Sequence, residues 1–197
     1  MMADVIGKRI VPPRDRYSIR KDTYRLRELT NTSDKAFFPI MYVLECVIPL
    51  VWPEFYVQPV DDGFLKGRAA ETIPEQHLIR VKESVYNAAC QNHPWARKVM
   101  AHELAHYFYH DSAHVAYAYP QHGERIPKEF SSEYQADVFA AELLAPINLI
   151  KGKNACWVVQ KCGVPLGTAK SQLLQVARTK NERKKKATKQ NCKVARQ

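Results

Sequence analysis

Two histidines one helical turn apart with a glutamate between them, His102-Glu103-Leu104-Ala105-His106, are the residues of this chain best spaced for chemistry. On a helix, positions i and i+4 share a face, so both imidazoles can reach one Zn²⁺ at about 2.0–2.1 Å. Glu103 is turned roughly 100° around the axis, where it can take a proton from water instead of filling a coordination position. A catalytic zinc needs a third protein ligand, and His110, His114, His122, Glu133 and Asp137 are the residues on offer. His110 is two turns beyond His102, about 12 Å along an unbroken helix, too far to share the ion. The arrangement with a glycine turn and a third histidine is excluded, because Tyr109 and Ser112 occupy those places. Glu133 and Asp137 remain, spaced i and i+4 and followed on the same stripe by Ala140, Ala141 and Leu144. Small alanines let one helix approach another closely. Glu133 is therefore expected as the third ligand, and Asp137 as a carboxylate that accepts a hydrogen bond from a ligand histidine and fixes its tautomer.

The segments around these positions, Ala101-His102-Glu103-Leu104-Ala105-His106-Tyr107-Phe108-Tyr109-His110 and the run from Ser132 to Pro146, carry a further signal. The second has the form E-x-x-A-x-x-F-A-x-x-L-L-x-P and is the more specific. In both, the chain resembles the ImmA/IrrE type of metallopeptidase. Leu44-Glu45, Thr72-Ile73-Pro74 and Val85-Tyr86 look like supporting matches, so the resemblance covers roughly residues 17–150. It departs where that family usually has Gly at Ala105 and often Leu at Phe108 and Tyr109; no ligand position is touched. The resemblance implies a gluzincin-like fold, zinc held by His102, His106 and Glu133, and Glu103 as base. It also implies a regulatory protease whose partner is a DNA-binding helix-turn-helix repressor or an antitoxin.

Peptide hydrolysis at such a site would have Glu103 remove a proton from water and deliver it to the leaving amine. Residues 77–81 are expected as an edge strand to which a substrate peptide adds by main-chain pairing. An oxyanion or substrate contact is expected from Tyr86, Tyr109, His110, His114 or Arg125, among which the sequence does not choose.

The elements that must position these groups can be read from pattern. Residues 17–30 have helical composition, and Ser33 or Asp34 can cap a second helix carrying Ile40, Val43, Leu44 and Val47 until Pro49 ends it. Short β-like runs follow at residues 55–60, 69–73 and 78–81 and suggest a small antiparallel meander. Pro94 starts the metal helix, which runs unbroken through His110. Ser132 with Gln135 forms a capping box for the facing helix, closed by Pro146. Beyond it, a short helix with Trp157, Val158 and Val159, a break at Cys162-Gly163-Val164-Pro165 and a further helix suggest a turn like that of a helix-turn-helix. The expectation is an α+β, zincin-like metallopeptidase domain over residues 1–150, a helical segment over 151–177 and a disordered basic tail over 178–197.

Charge adds a second reading. The 197-residue chain has 30 Lys and Arg against 20 Asp and Glu, a formal +10. Nine of those basic residues and one Glu lie in residues 178–197, which leaves the rest of the chain near neutral at +2. The tail could contact nucleic acid nonspecifically through phosphates. The alternative to a protease is thus a DNA- or repressor-binding regulator that acts without proteolysis. Five scattered cysteines with no C-x-x-C pair suggest reduced thiols and a cytoplasmic protein. No membrane span is expected, because the most apolar window, residues 37–57, contains Glu45, Glu54, Pro39, Pro49 and Pro53.

Overall fold

A computed structural model describes residues 11–110 and 127–194, with side chains to residue 180. Helix α1 (Arg16–Leu29) is started by Asp15, whose Oδ1 accepts from the Ser18 amide at 2.7 Å, and it buries Ile19, Thr23 and Arg27. The second helical stretch begins at Ile40 and not at Ser33 or Asp34, with Pro39 before it. It runs as α2 (Ile40–Tyr42), a π-helical turn (Val43–Val47) and α3 (Ile48–Val51). Pro49 therefore does not end the helix. Its ring lacks an N–H and would press on the carbonyl four residues earlier, and the wider π turn ahead of it gives the room. Ile40, Val43 and Leu44 are buried as the pattern suggests, whereas Val47 is only half-buried and Ile48 takes the buried place, because the wider turn shifts the stripe by one residue.

The sheet is mixed, not an antiparallel meander. Strands β1 (Tyr56–Val60), β2 (Ala70–Ile73) and β3 (Leu78–Lys82) lie in the order β1-β3-β2, with β1 parallel and β2 antiparallel to β3. The physical reason is in the side chains. Leu78, Ile79 and Val81 are buried, which puts β3 in the middle, whereas β1 is largely exposed and holds Pro59, which cannot donate to a ladder on both sides. Residues 77–81 are consequently not an edge for a substrate peptide; among the described residues β2 has the free edge nearer the metal helix.

Helix α4 (Glu83–Cys90) leads into α5 (Pro94–Tyr109), with Pro94 in its first turn. Helix α6 (Ser132–Leu144) is capped by Ser131, one residue before the expected Ser132, with Ser131 Oγ accepting from the Tyr134 amide at 3.3 Å. Buried Ala101 and Ala105 on α5, with Ala136 and Ala140 on α6, let the two helices pack closely.

Helices α7 (Ile147–Ile150), α8 (Ala155–Cys162) and α9 (Leu166–Val194) complete the chain. They are not a separate appendage: Val158, Cys162, Val164 and Ala169 sit in the same buried cluster as Met100 and Leu104 of α5. The fully buried Arg97 of α5 donates through Nη1 to the carbonyls of Cys162 (2.9 Å) and Gly163 (2.7 Å), and through Nη2 to that of Phe38. Gln172 of α9 reaches the last turn of α6, donating to the carbonyl of Ala145 at 2.9 Å. Helix α9 continues to Val194, so most of the basic segment expected to be disordered is helical. Nothing after Gly167 interrupts it with Gly or Pro, and Lys, Arg, Gln and Ala are good helix formers.

Gly163 ends α8 in the left-handed region at φ 62°, and a Cβ there would lie 2.0 Å from Arg97 Nη1. Gly163→Ala should cost at least about 2 kcal/mol, from the left-handed backbone and displacement of the buried guanidinium together. Urea unfolding of the two proteins measures it, and an unchanged midpoint would refute the clamp.

Candidate metal centre

Helix α5 carries Lys98, His102 and His106 at four-residue spacing, and His110, just past its last residue, continues this polar stripe along a largely buried helix. Helix α6 presents Glu133 within its first turn, where the positive end of the helix dipole favours a carboxylate, and Asp137 one turn on. The packing of the two helices brings these stripes together.

The donor atoms of His102, His106 and Glu133 all lie within 4.8 Å of one another. His102 Nε2 is 3.0 Å from His106 Nε2 and 3.3 Å from Glu133 Oε2, and His106 Nε2 is 3.5 Å from Glu133 Oε1. Donors held about 2.1 Å from one tetrahedral ion stand roughly 3.4 Å apart. The spacings bracket that value, so this group could hold a metal ion.

Behind the group, each histidine has its own support. His102 Nδ1 lies 3.4 Å from Asp137 Oδ1, which also takes the Lys98 ammonium at 2.9 Å. Asp137 thus lies beside the Nδ1 side of His102, one turn along α6 from Glu133. The hydrogen bond from His102, with Lys98 beside it, holds the Asp137 carboxyl well below the usual range. Burial works against a charge on His102, but hydrogen bonds to Asp137 and Glu133 outweigh it and raise its pKa to about 9. The same bond from His102 lowers that of Glu133. His106 Nδ1 lies 2.8 Å from His110 Nδ1, and His110 Nε2 lies 3.2 Å from Gln135 Oε1. His110 thus does not share the ion site, as its distance along the helix requires, and burial lowers its pKa to about 4.

Glu103 is buried and raised in pKa by that burial. The Thr72 hydroxyl, on β2, donates to its Oε2 at 2.7 Å.

No family model and no curated protein matches the chain.

The remaining expected contacts divide. Tyr86 donates its hydroxyl to Glu45, and Tyr109 donates to Asp22 Oδ2 at 2.8 Å, so both are engaged in packing contacts outside the metal group. His114, His122 and Arg125 lie outside the described residues. Three participants were not foreseen. Lys98 could have been found by its spacing from His102, and Thr72 only as part of the Thr72-Ile73-Pro74 match. Gln135 was read as a cap and instead turns inward. Tyr107, with its hydroxyl 2.8 Å from His77 Nδ1, forms an aromatic group with Phe55 and the part-exposed Trp52 at the side of α5.

Proposed function

We propose that the chain is a zinc-dependent endopeptidase of zincin-like, gluzincin-type build, acting in the cytoplasm on a partner protein. The observation that carries this reading is the triangle of His102, His106 and Glu133 donors beside a buried Glu103. Two imidazoles and a carboxylate suit zinc better than a hard cation, which takes oxygen ligands. A zinc ion bound there would polarise the scissile carbonyl and acidify a water molecule. Glu103, held by Thr72 and made more basic by burial, takes the proton from the attacking water and returns it to the leaving amine. The free edge of β2, which carries Thr72, suits an extended peptide pairing by its main chain.

The resemblance to the ImmA/IrrE type makes a helix-turn-helix repressor or an antitoxin the favoured substrate, and helix α9 with its basic residues would bring the enzyme to regulators that sit on nucleic acid. Mass spectrometry of DNA-binding regulators encoded beside this chain, incubated with the zinc-loaded protein, should show one cut removed by chelation. A chain that takes up zinc and binds the regulator without cutting it would favour the non-proteolytic alternative. Among the described residues no helix is long and apolar enough to cross a membrane.

Proton competition gives a second check. Because metal-free His102 keeps its proton up to about pH 9, zinc uptake at pH 7 must release it. The apparent affinity should rise about tenfold per pH unit between roughly 6.5 and 9. Stability of the metal-free chain runs the other way: the charged His102 adds stability that is complete below pH 6.5 and lost as the pH rises through about 9. Calorimetric titration in buffers of different ionisation heat, and melting of the metal-free protein across that window, should show the two opposite slopes.

A further inference from the structure

We propose that His110 and Gln135 are positioning residues, a directional hydrogen-bond relay that holds His106 in the one tautomer able to bind a metal through Nε2. The proposal rests on the metal reading above and adds what keeps one ligand ready.

The direction is set by two backbone carbonyls distant from the metal group. Gln135, almost fully buried, has its Nε2 2.8 Å from the Pro12 carbonyl and 2.7 Å from that of Glu129. Carbonyl oxygens only accept, so this end of the amide must be the NH₂. Turned the other way, the amide would set its oxygen against two carbonyl oxygens in a buried place, three acceptors facing one another with no hydrogen between them. Its Oε1 therefore faces His110, and across that 3.2 Å contact His110 Nε2 must carry the hydrogen. A neutral imidazole with its hydrogen on Nε2 has a lone pair on Nδ1. That atom lies 2.8 Å from His106 Nδ1, which must then be the donor. With its hydrogen on Nδ1, His106 keeps the lone pair on Nε2, the atom that faces His102 and Glu133. Each step leaves one choice.

The two ligand histidines are thus backed differently. His102 leans on a carboxylate, Asp137, and His106 on a neutral chain anchored in main-chain oxygen. One of those oxygens belongs to the N-terminal segment, which is fixed to the turn just before α6 by bonds from the Val11 amide to the Phe130 carbonyl (2.9 Å) and from the Arg14 amide to that of Glu129 (3.1 Å). Residues 11–14 therefore help orient a metal ligand that they do not touch.

Two-bond ¹⁵N–¹H correlation spectra of the full chain with labelled histidine test the relay directly. His110 should be the Nε2–H tautomer with and without zinc, and His106 the Nδ1–H tautomer with zinc bound; His110 seen as Nδ1–H overturns the proposal. Chelator competition supplies the second readout. His110→Phe keeps a ring but removes the acceptor, and zinc affinity should fall about 10–100-fold. His110→Asn, with Oδ1 where Nδ1 stood, should recover most of it. If the Phe variant binds zinc as tightly as the Asn variant, His110 only fills space and the relay is wrong. Should the wild-type chain take up no zinc, the metal reading fails, while the His110 tautomer in the metal-free spectrum still decides the relay. The wild-type spectrum also stands if a variant does not fold.

Discussion

Glu103→Gln should abolish peptide cleavage, by at least 10²–10⁴-fold, while leaving zinc content and the melting temperature of the loaded protein close to wild type. The amide has the size of the carboxylate and can still accept from Thr72, so the fold has little reason to change. It cannot accept a proton from water, and positioned acid–base groups contribute roughly that factor. Glu103 neither contributes to the ligand triangle nor backs a histidine, so its loss isolates the chemical step. Parallel measurement of zinc stoichiometry and of regulator cleavage reads it. A Gln variant that cuts at the wild-type rate would remove Glu103 from the mechanism, and with it the main ground for a peptidase.

Glu142→Ala should be among the most destabilising single changes away from the metal, about 3 kcal/mol in urea unfolding of the metal-free chain. Its carboxylate is fully buried on α6 and takes Arg16 Nη1 at 2.8 Å and Arg20 Nε at 2.9 Å, both from α1. Arg16 also donates to Gln172 of α9 at 3.0 Å, so three helices meet at one carboxylate. Removing it takes the Glu142 charge away from two guanidinium groups that are only about one-fifth exposed or less. Arg68→Ala, which breaks the half-exposed pair with Glu71, should by contrast cost under about 1 kcal/mol. Equal effects from the two changes would mean that the buried network adds nothing.

What the sequence made legible follows from the range of the interactions involved. Helices α5 and α6 are marked by local signals, Pro94 at one start, Ser131 at the other and Pro146 at the end, and the candidate ligands fall on them at spacings that a single helix dictates. The cap was off by one because Ser131 and Ser132 are chemically the same, and only the inward turn of Gln135 separates them. Strand order was missed although a clue was present: Pro59 belongs at an edge and the apolar run Leu78-Ile79 belongs in the middle, which together forbid a simple meander. Pro49 misled because a wide helical turn accommodates it, and such a turn has no local composition of its own. Thr72 and Gln135 reach partners 31 and 25 residues away. Periodicity does not report pairs at that range. The role of α8 and α9 was hidden similarly, since their apolar residues show that they pack but not on what.

The grip of Arg97 on the carbonyls that end α8 bears on how the molecule comes apart. The arginine sits on the metal helix about one and a half turns before His102, and helices α8 and α9 cannot leave without stranding a buried cation. The body that carries the metal group and the C-terminal helices up to the turn around Gln172 therefore have no intermediate in which one is folded and the other loose. Heat or denaturant should melt them in a single cooperative step, and a ligand that stabilises the metal group stabilises those helices by the same free energy.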